Sequence, residues 1–284
     1  MLRRNIQHLI LFVAVCVIGQ IQLLYAQDQD SLQVVQTKWN SKTIQKGVIW
    51  HQAHITNLFN AVQEVNWVEI DLKKLAKRVH IAGEPKVLKK TSQFAEENQA
   101  LVAINAGFFD VKNGGGVDLI KVDGQVINSG APSAARANAV FSIDGKKVRI
   151  ESVSPETTIN AKAKSLLVAG PMLVSNNTRI TLPNSPFNSN RHPRSAVGIS
   201  GKNKLILIVV DGRSNQSYGM SLPELAKLMH WIGAKDAMNL DGGGSSTLYV
   251  EGGSDNNIVN YPSDNKKFDH EGQRSVSNII YLKK

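Results

Sequence analysis

The alternation of apolar and polar positions along the chain predicts a strand-rich protein. Three runs in the first third alternate with a two-residue period: VIWHQAHI at 48–55, VNWVEIDL at 65–72 and VHIA at 79–82. In the second run Val68, Ile70 and Leu72 fall on one face, with Glu69 and Asp71 on the other. Thr91 to Asn98 reads as a short helix with Thr91 or Ser92 as N-cap. ALVAIN at 100–105 is a buried-type strand that runs into the turn AGFFD. GQVINSG and AVFSIDGKKVRI predict further strands, the second a hairpin turning at Asp144-Gly145. Residues 165–174 form an apolar run cut by Gly170-Pro171, and SAVGIS, KLILIVVDG and SNIIYL supply the clearest late strands. One helix is plainly marked. Ser221-Leu222-Pro223-Glu224 is a capping box, Leu225, Leu228, Met229 and Ile232 follow at helical spacing, and Gly233 ends it. KDAMNL at 235–240 then reads as a strand delivering Asp241 into a glycine turn. Many strands and two evident helices predict an α+β fold, a single large domain with a mostly antiparallel or mixed sheet.

The first segment departs from that pattern. Arg3 and Arg4 precede an apolar run from Leu9 to Leu24, and polar residues follow Ala26. This is the layout of a secretory signal peptide, expected over residues 1–26, and the run is shorter than the roughly 20 residues of a spanning helix. The expected division is therefore 1–26 as signal, 27–94 as a strand-rich region packing on the same domain, and 95–284 as the main domain. No stable membrane span is expected after cleavage. The lone cysteine, Cys16, lies inside the apolar run, with Val15 before it rather than the small residue a lipoprotein signal needs. A mature chain without cysteine has no disulfide, thiolate chemistry or Cys-based zinc site, which for an exported chain points to a bacterial periplasm or cell surface.

Composition alters the picture less. The 284 residues carry 33 Lys plus Arg against 23 Asp plus Glu, a formal charge of +10 that falls to +8 without Arg3 and Arg4. That excess invites nucleic acid, a membrane surface or an acidic glycan. Export and the lack of an aromatic-studded basic helix argue against nucleic acid.

Four segments place polar residues where an apolar strand ends at a glycine turn: AINAGFFD at 103–110, HPRSAVGI at 192–199, VVDGRSNQSYGM at 209–220 and NLDGGGSSTLYV at 239–250. Sites are commonly built at such ends, where a rigid element aims a side chain and a loop gives access. Gly242, Gly243 and Gly244 let backbone amides approach a ligand, and Ser245 and Ser246 add hydroxyls; the plainer reading is a hairpin turn needing positive φ. No lysine follows these glycines as in a Walker loop, and no GxSxG or HExxH occurs. Arg194, Arg213 and Arg274 sit near strand edges, where planar guanidinium groups suit phosphate oxygens, or simply snorkel at the surface. Asp110, Asp211 and Asp241 are candidate carboxylates for acid–base work or for a divalent cation such as calcium or magnesium, each alternatively a turn cap. Asn105 and Asn239 would orient a polar ligand or close a turn. His192, beside Pro193, reads as structural.

Taken in order, Asn105-Ala-Gly-Phe-Phe109, Gly170-Pro171, His192-Pro-Arg-Ser-Ala-Val-Gly198, Asp211-Gly-Arg213, the helix from Ser221, Asn239-Leu-Asp-Gly-Gly-Gly-Ser-Ser246, Tyr261-Pro-Ser-Asp264 and Arg274-Ser-Val-Ser277 resemble the phosphodiester glycosidase family, over roughly residues 95–284. Residues 31–90 match nothing in it. The resemblance implies an exported hydrolase that cleaves the glycosidic bond of a sugar 1-phosphodiester on a phosphorylated glycan. It implies Asp241 as base or nucleophile, with Asp211 second, Asn105 positioning substrate, the three arginines clamping phosphate, and the 242–246 loop facing phosphate or sugar. A non-catalytic module for anionic surface glycans and a metal-dependent phosphodiesterase remain alternatives, and no cofactor is assigned beyond a possible divalent cation.

Overall fold

The computed structural model describes residues 29–130, 136–154 and 163–284, so the expected signal segment and Cys16 lie outside the described residues. Residues 29–36 form a helix, α1, within a first compact unit that ends at Thr37. Lys38–Lys284 form the second. Among the described residues no helix is long and apolar enough to cross a membrane.

The second unit begins with an extended hairpin. Strands β1 (Asn40–Gln45), β2 (Val48–Leu58) and β3 (Ala61–Asp71) pair in sequence. The β2–β3 turn places Phe59 at φ 56° and Asn60 at φ 56°. Asn tolerates this region, whereas Phe does so at a cost that burial offsets. The Phe59 ring is 6% exposed and stacks on Trp231 with centroids 5.7 Å apart. Asp71 ends β3 one residue before the alternation predicts, because its side chain accepts from the Lys73 amide at 3.1 Å and caps a short turn, α2 (Leu72–Leu75).

The remaining elements follow as β4 (Val79–Gly83), β5 (Lys89–Lys90), α3 (Thr91–Glu97), β6 (Ala100–Asn105), β7 (Ile120–Val122), β8 (Gln125–Asn128), β9 (Ala139–Asp144), β10 (Lys147–Ser152), β11 (Ser165–Ala169), β12 (Met172–Ser175) and β13 (Thr178–Arg179). Then come α4 (Pro186–Ser189), β14 (Arg194–Ser200), β15 (Lys204–Val210), α5 (Leu222–Trp231), β16 (Ala234–Asn239), β17 (Leu248–Val250), β18 (Ser275–Val276) and β19 (Asn278–Lys283). The N-cap of α3 is Lys90 rather than Thr91 or Ser92, since the Gln93 side chain takes the Lys90 amide at 3.0 Å. The box at Ser221 forms as predicted, the Glu224 carboxylate accepting from the Ser221 amide at 2.8 Å.

An eight-stranded sheet runs β1-β2-β3-β15-β14-β16-β12-β13, with each neighbouring pair antiparallel. A five-stranded sheet, β10-β9-β11-β7-β8, and a four-stranded sheet, β17-β6-β19-β4, complete the main frame. This is the α+β, largely antiparallel single domain the pattern predicts. One core joins the three sheets, with Val68, Leu207 and Val209 from the first, Phe141 and Leu167 from the second, and Ile104 and Ile280 from the third. Burying each of these large side chains contributes about 2 kcal/mol. Helix α5 lies on β12 and β16, burying Leu225, Leu228 and Met229. It passes so close to β14 that a Cβ on Gly198 would come within 2.6 Å of the Met229 methyl.

Candidate active site

Register brings the four sequence segments to one end of the molecule. Arg194 opens β14 opposite Val210, the last residue of β15, and Ala196 faces Asn239, the last of β16. In the four-stranded sheet Asn105 closes β6 opposite Ile279, at the start of β19, and Ile104 faces Leu248, which opens β17. The two sheets meet there, where the Asp241 amide donates to the Ala106 carbonyl at 2.7 Å.

Asn105 clasps this junction. It is fully buried, and its Nδ2 donates to the Asp241 carbonyl at 2.6 Å. Its Oδ1 accepts from Ser195 Oγ at 2.7 Å and from the Thr247 amide at 3.1 Å. Both ends of the Asn105 amide are thus engaged by the protein, and its side chain holds the Asp241 backbone in place. Asn239 is also internal, its Nδ2 donating to the Gly170 carbonyl at 2.8 Å.

Asp241 emerges from this clasp at the mouth of the glycine turn. Burial pushes its carboxyl up to about 6, partly countered by Ser245, the Gly242 amide and the charges of Arg274 and Arg136. It is mostly ionised at neutral pH yet basic enough to take a proton.

Two of the three glycine amides have partners within the protein. The Gly243 amide is engaged by the Pro193 carbonyl at 2.8 Å, and the Gly242 amide favours the Asp241 carboxylate. What the glycines supply is room. A Cβ on Gly243, which sits at φ 63°, would come within 2.9 Å of Arg213 Nη2. A Cβ on Gly244 would come within 2.6 Å of Arg274 Nη2 and 2.5 Å of Asp264 Oδ1. Two guanidinium groups therefore lie directly against the turn. Arg274 is oriented by Asp264, whose Oδ1 accepts from its Nε at 2.9 Å and again from Nη2. Beyond them, Gly212, Ser214, Ser263, Lys266, Lys267 and Phe268 help to line a cleft of about 330 Å³. Ser245 and Ser246 are buried beneath the turn.

Arg194 does not join this clamp. It is 3% exposed, donates from Nε to the Met220 carbonyl at 2.8 Å, and from Nη2 to Phe187 at 3.0 Å and Asn190 at 2.8 Å. Strand position alone does not distinguish a ligand-facing arginine from one bracing three loop carbonyls. Burial and the nearby Arg213 pull it down to about 10, so it stays charged.

Asp211 is likewise sealed. It has no exposed surface; its Oδ1 accepts from Asn260 Nδ2 at 2.8 Å and from the Tyr261 amide at 3.0 Å. Burial, with a contribution from Glu64, pushes it up to about 7. It ties the segment 260–264 to β15, while Asn260 also donates to the Ser246 carbonyl at 3.1 Å. Asp110 caps its own turn through the Lys112 and Asn113 amides at 2.8 and 3.0 Å. The three aspartates thus have separate surroundings, and among the described residues no group of three or more acidic, histidine or cysteine side chains is gathered to hold a metal. His192 is half-buried and its backbone pairs with Met220; burial and the charges of Arg194 and Arg213 hold its ring below the ordinary imidazole range.

Two contributors escaped the sequence. Arg136 lies over the Phe108 ring at 4.6 Å and acts on Asp241 through its charge. Asn260 links Asp211 to the glycine turn. Neither sits in a glycine-turn motif. Asn260 does adjoin the quoted Tyr261-Pro-Ser-Asp264 run, which was the available signal.

The family model for phosphodiester glycosidase matches residues 98–283. N-acetylglucosamine-1-phosphodiester alpha-N-acetylglucosaminidase of Mus musculus is 29% identical over 180 residues, covering 57% of this chain and 33% of its own length. An uncharacterised prophage-derived protein of Bacillus subtilis is 31% identical over 171 residues, 58% of this chain and 26% of its own. The chain thus spans a third or less of these relatives. Among solved structures, the catalytic domain of zebrafish N-acetylglucosamine-1-phosphodiester alpha-N-acetylglucosaminidase superposes with a TM-score of 0.66 at 20% identity, covering 88% of this chain and 84% of that one. A hypothetical protein from Synechocystis superposes at 0.62 with 16% identity, over 87% and 64% of the two chains. These two likenesses are of fold.

Proposed function

The chain belongs to the phosphodiester glycosidase family, and from that premise we propose that it is an exported hydrolase that cleaves the C1–O bond of a sugar 1-phosphodiester. The mouse relative's name places N-acetylglucosamine on such a phosphodiester, and an N-acetylglucosamine-like sugar is the first substrate to try. Export is supported by the basic start and short apolar run of residues 1–26.

One observation carries the reading: an ionisable carboxylate, Asp241, stands at a turn against which Arg213 and Arg274 are both packed. In a sugar 1-phosphodiester the group departing from C1 is a phosphate monoester, a good leaving group without protonation. The general acid of ordinary glycosidases is then less needed. Two guanidinium groups supply what remains on that side, neutralising the phosphate oxygens as the bond's electron pair moves onto them. On the sugar side, Asp241 stabilises the positive charge developing at C1 and acts as base or nucleophile. Water ends on C1, the phosphomonoester leaves, and the water proton passes through Asp241 to solvent. Asn105, Asp211, Asn260 and Arg194 act as positioning residues, and the mechanism assigns no step to a metal.

Product analysis on N-acetylglucosamine 1-phosphodiesters tests the reading. Free reducing sugar with a phosphomonoester is expected, with kcat/KM declining below about pH 6 as Asp241 takes its proton. Asp241→Asn should abolish turnover and leave binding in place. Release of sugar 1-phosphate would mean P–O cleavage, and retained binding without product would mean a glycan-binding module; either result overturns the proposal.

A further inference from the structure

Resting on that reading, we infer that the substrate carries a second phosphate on the far side of the scissile phosphodiester, held by Lys266 and Lys267. A phosphodiester bears one negative charge. The cleft beside the glycine turn is lined by four cations, Arg213, Lys266, Lys267 and Arg274, and by one carboxylate, Asp264, which Arg274 already engages. Asp269, outside the lining, faces Lys267 and keeps its charge while accepting from Asn265 Nδ2 at 2.8 Å and the Glu271 amide at 3.0 Å, so the four cations are met by two carboxylates. The positive charge in the cleft therefore exceeds what one phosphodiester neutralises.

The lysines also differ in position from the arginines. Arg213 and Arg274 touch the turn that carries Asp241, whereas Lys266 and Lys267 belong to the 263–268 segment. That segment is anchored at both ends. The Tyr261 amide reaches Asp211, and the Phe268 ring stacks on Tyr261 with centroids 4.0 Å apart. The φ of 59° at Lys266 sets the bend that carries the pair. Ser263, also lining the cleft, has a hydroxyl with no partner among the described residues. An anion bound among cations that line one cleft is attracted to all of them. A chain of phosphodiester-linked units, or an aglycone ending in a phosphate, has the required second charge.

Binding to Asp241→Asn tests this without relying on turnover. Calorimetry would compare N-acetylglucosamine 1-phosphoglycerol with the same compound bearing a terminal phosphate on glycerol. The ligand with the terminal phosphate should bind about tenfold tighter, the effect of two exposed ion pairs, with the ratio shrinking as salt rises. Adding Lys266→Gln and Lys267→Gln should bring the ratio within about twofold, whereas Lys146→Gln, in the β9–β10 turn, should leave it near tenfold. Equal binding of the two ligands, or a preference that survives the double replacement, overturns the inference. Hydrolysis of the singly anionic compound by the unmodified enzyme reports on the glycosidase reading by itself, so the two can fail separately.

Discussion

Replacing Asp211 by asparagine asks whether the buried carboxyl is held as the neutral acid. An asparagine oxygen can keep both hydrogen bonds, from Asn260 and from the Tyr261 amide, so the local geometry should survive. What the substitution removes is a titration. The group sits at about 7 in the folded protein and near 3.9 in the unfolded chain. Between those values the native state holds a proton that the unfolded state has released. The stabilising contribution is therefore complete below about pH 4 and is lost as the pH rises through 7. Across the whole interval this amounts to about 4 kcal/mol, and between pH 5 and 8 to about 3 kcal/mol. Urea unfolding of both proteins at pH 5, 6, 7 and 8 reads it directly. The difference between them should move toward the variant by about 3 kcal/mol over that range, while Asp241, common to both, cancels. A difference that stays constant with pH would refute the assignment of Asp211 as a buried neutral acid.

Three further outcomes are expected. Gly244→Ala places a methyl against Arg274 and Asp264, so KM for the phosphodiester should rise at least tenfold with a melting temperature close to that of the parent; an unchanged KM counts against the arginine clamp. Arg194→Met leaves three loop carbonyls without their donor, and should lower stability by about 3 kcal/mol in chemical denaturation. If its main effect is weaker phosphate binding in a fully stable protein, the bracing role is wrong. Prolonged treatment with a chelator should leave activity within experimental error of the untreated enzyme, and loss restored by calcium or magnesium would revive the cation-assisted alternative.

The fold was legible where one physical signal dominated. Period-two alternation located β3, apolar runs located β14 and β15, and the Ser221–Glu224 box located α5, because each local choice agrees with the tertiary structure. The gathering of the four glycine-turn segments was legible too, since strand-to-glycine transitions mark strand ends and antiparallel register brings those ends together. Individual roles were not. Asn105, Arg194 and Asp211 have the side chains a site needs, and the difference between facing substrate and bracing the turn lies in which carbonyls and amides surround them. Those partners come from segments up to 142 residues away, as with Asn105 and Thr247, and no local pattern encodes them. Arg136 reaches the site by packing on Phe108, a contact equally invisible to spacing.

The clasp between Asn105 and Asp241 also ties the candidate site to the completeness of folding. Asp241 hangs from the end of the eight-stranded sheet, yet its carbonyl and amide are held by residues at the end of a different sheet. A chain in which either sheet has formed alone has every side chain of the site and no site. On the proposed function the site is a two-sheet coincidence detector: turnover would switch on when the last long-range docking is made, and a kinetic trace of its return would time that event.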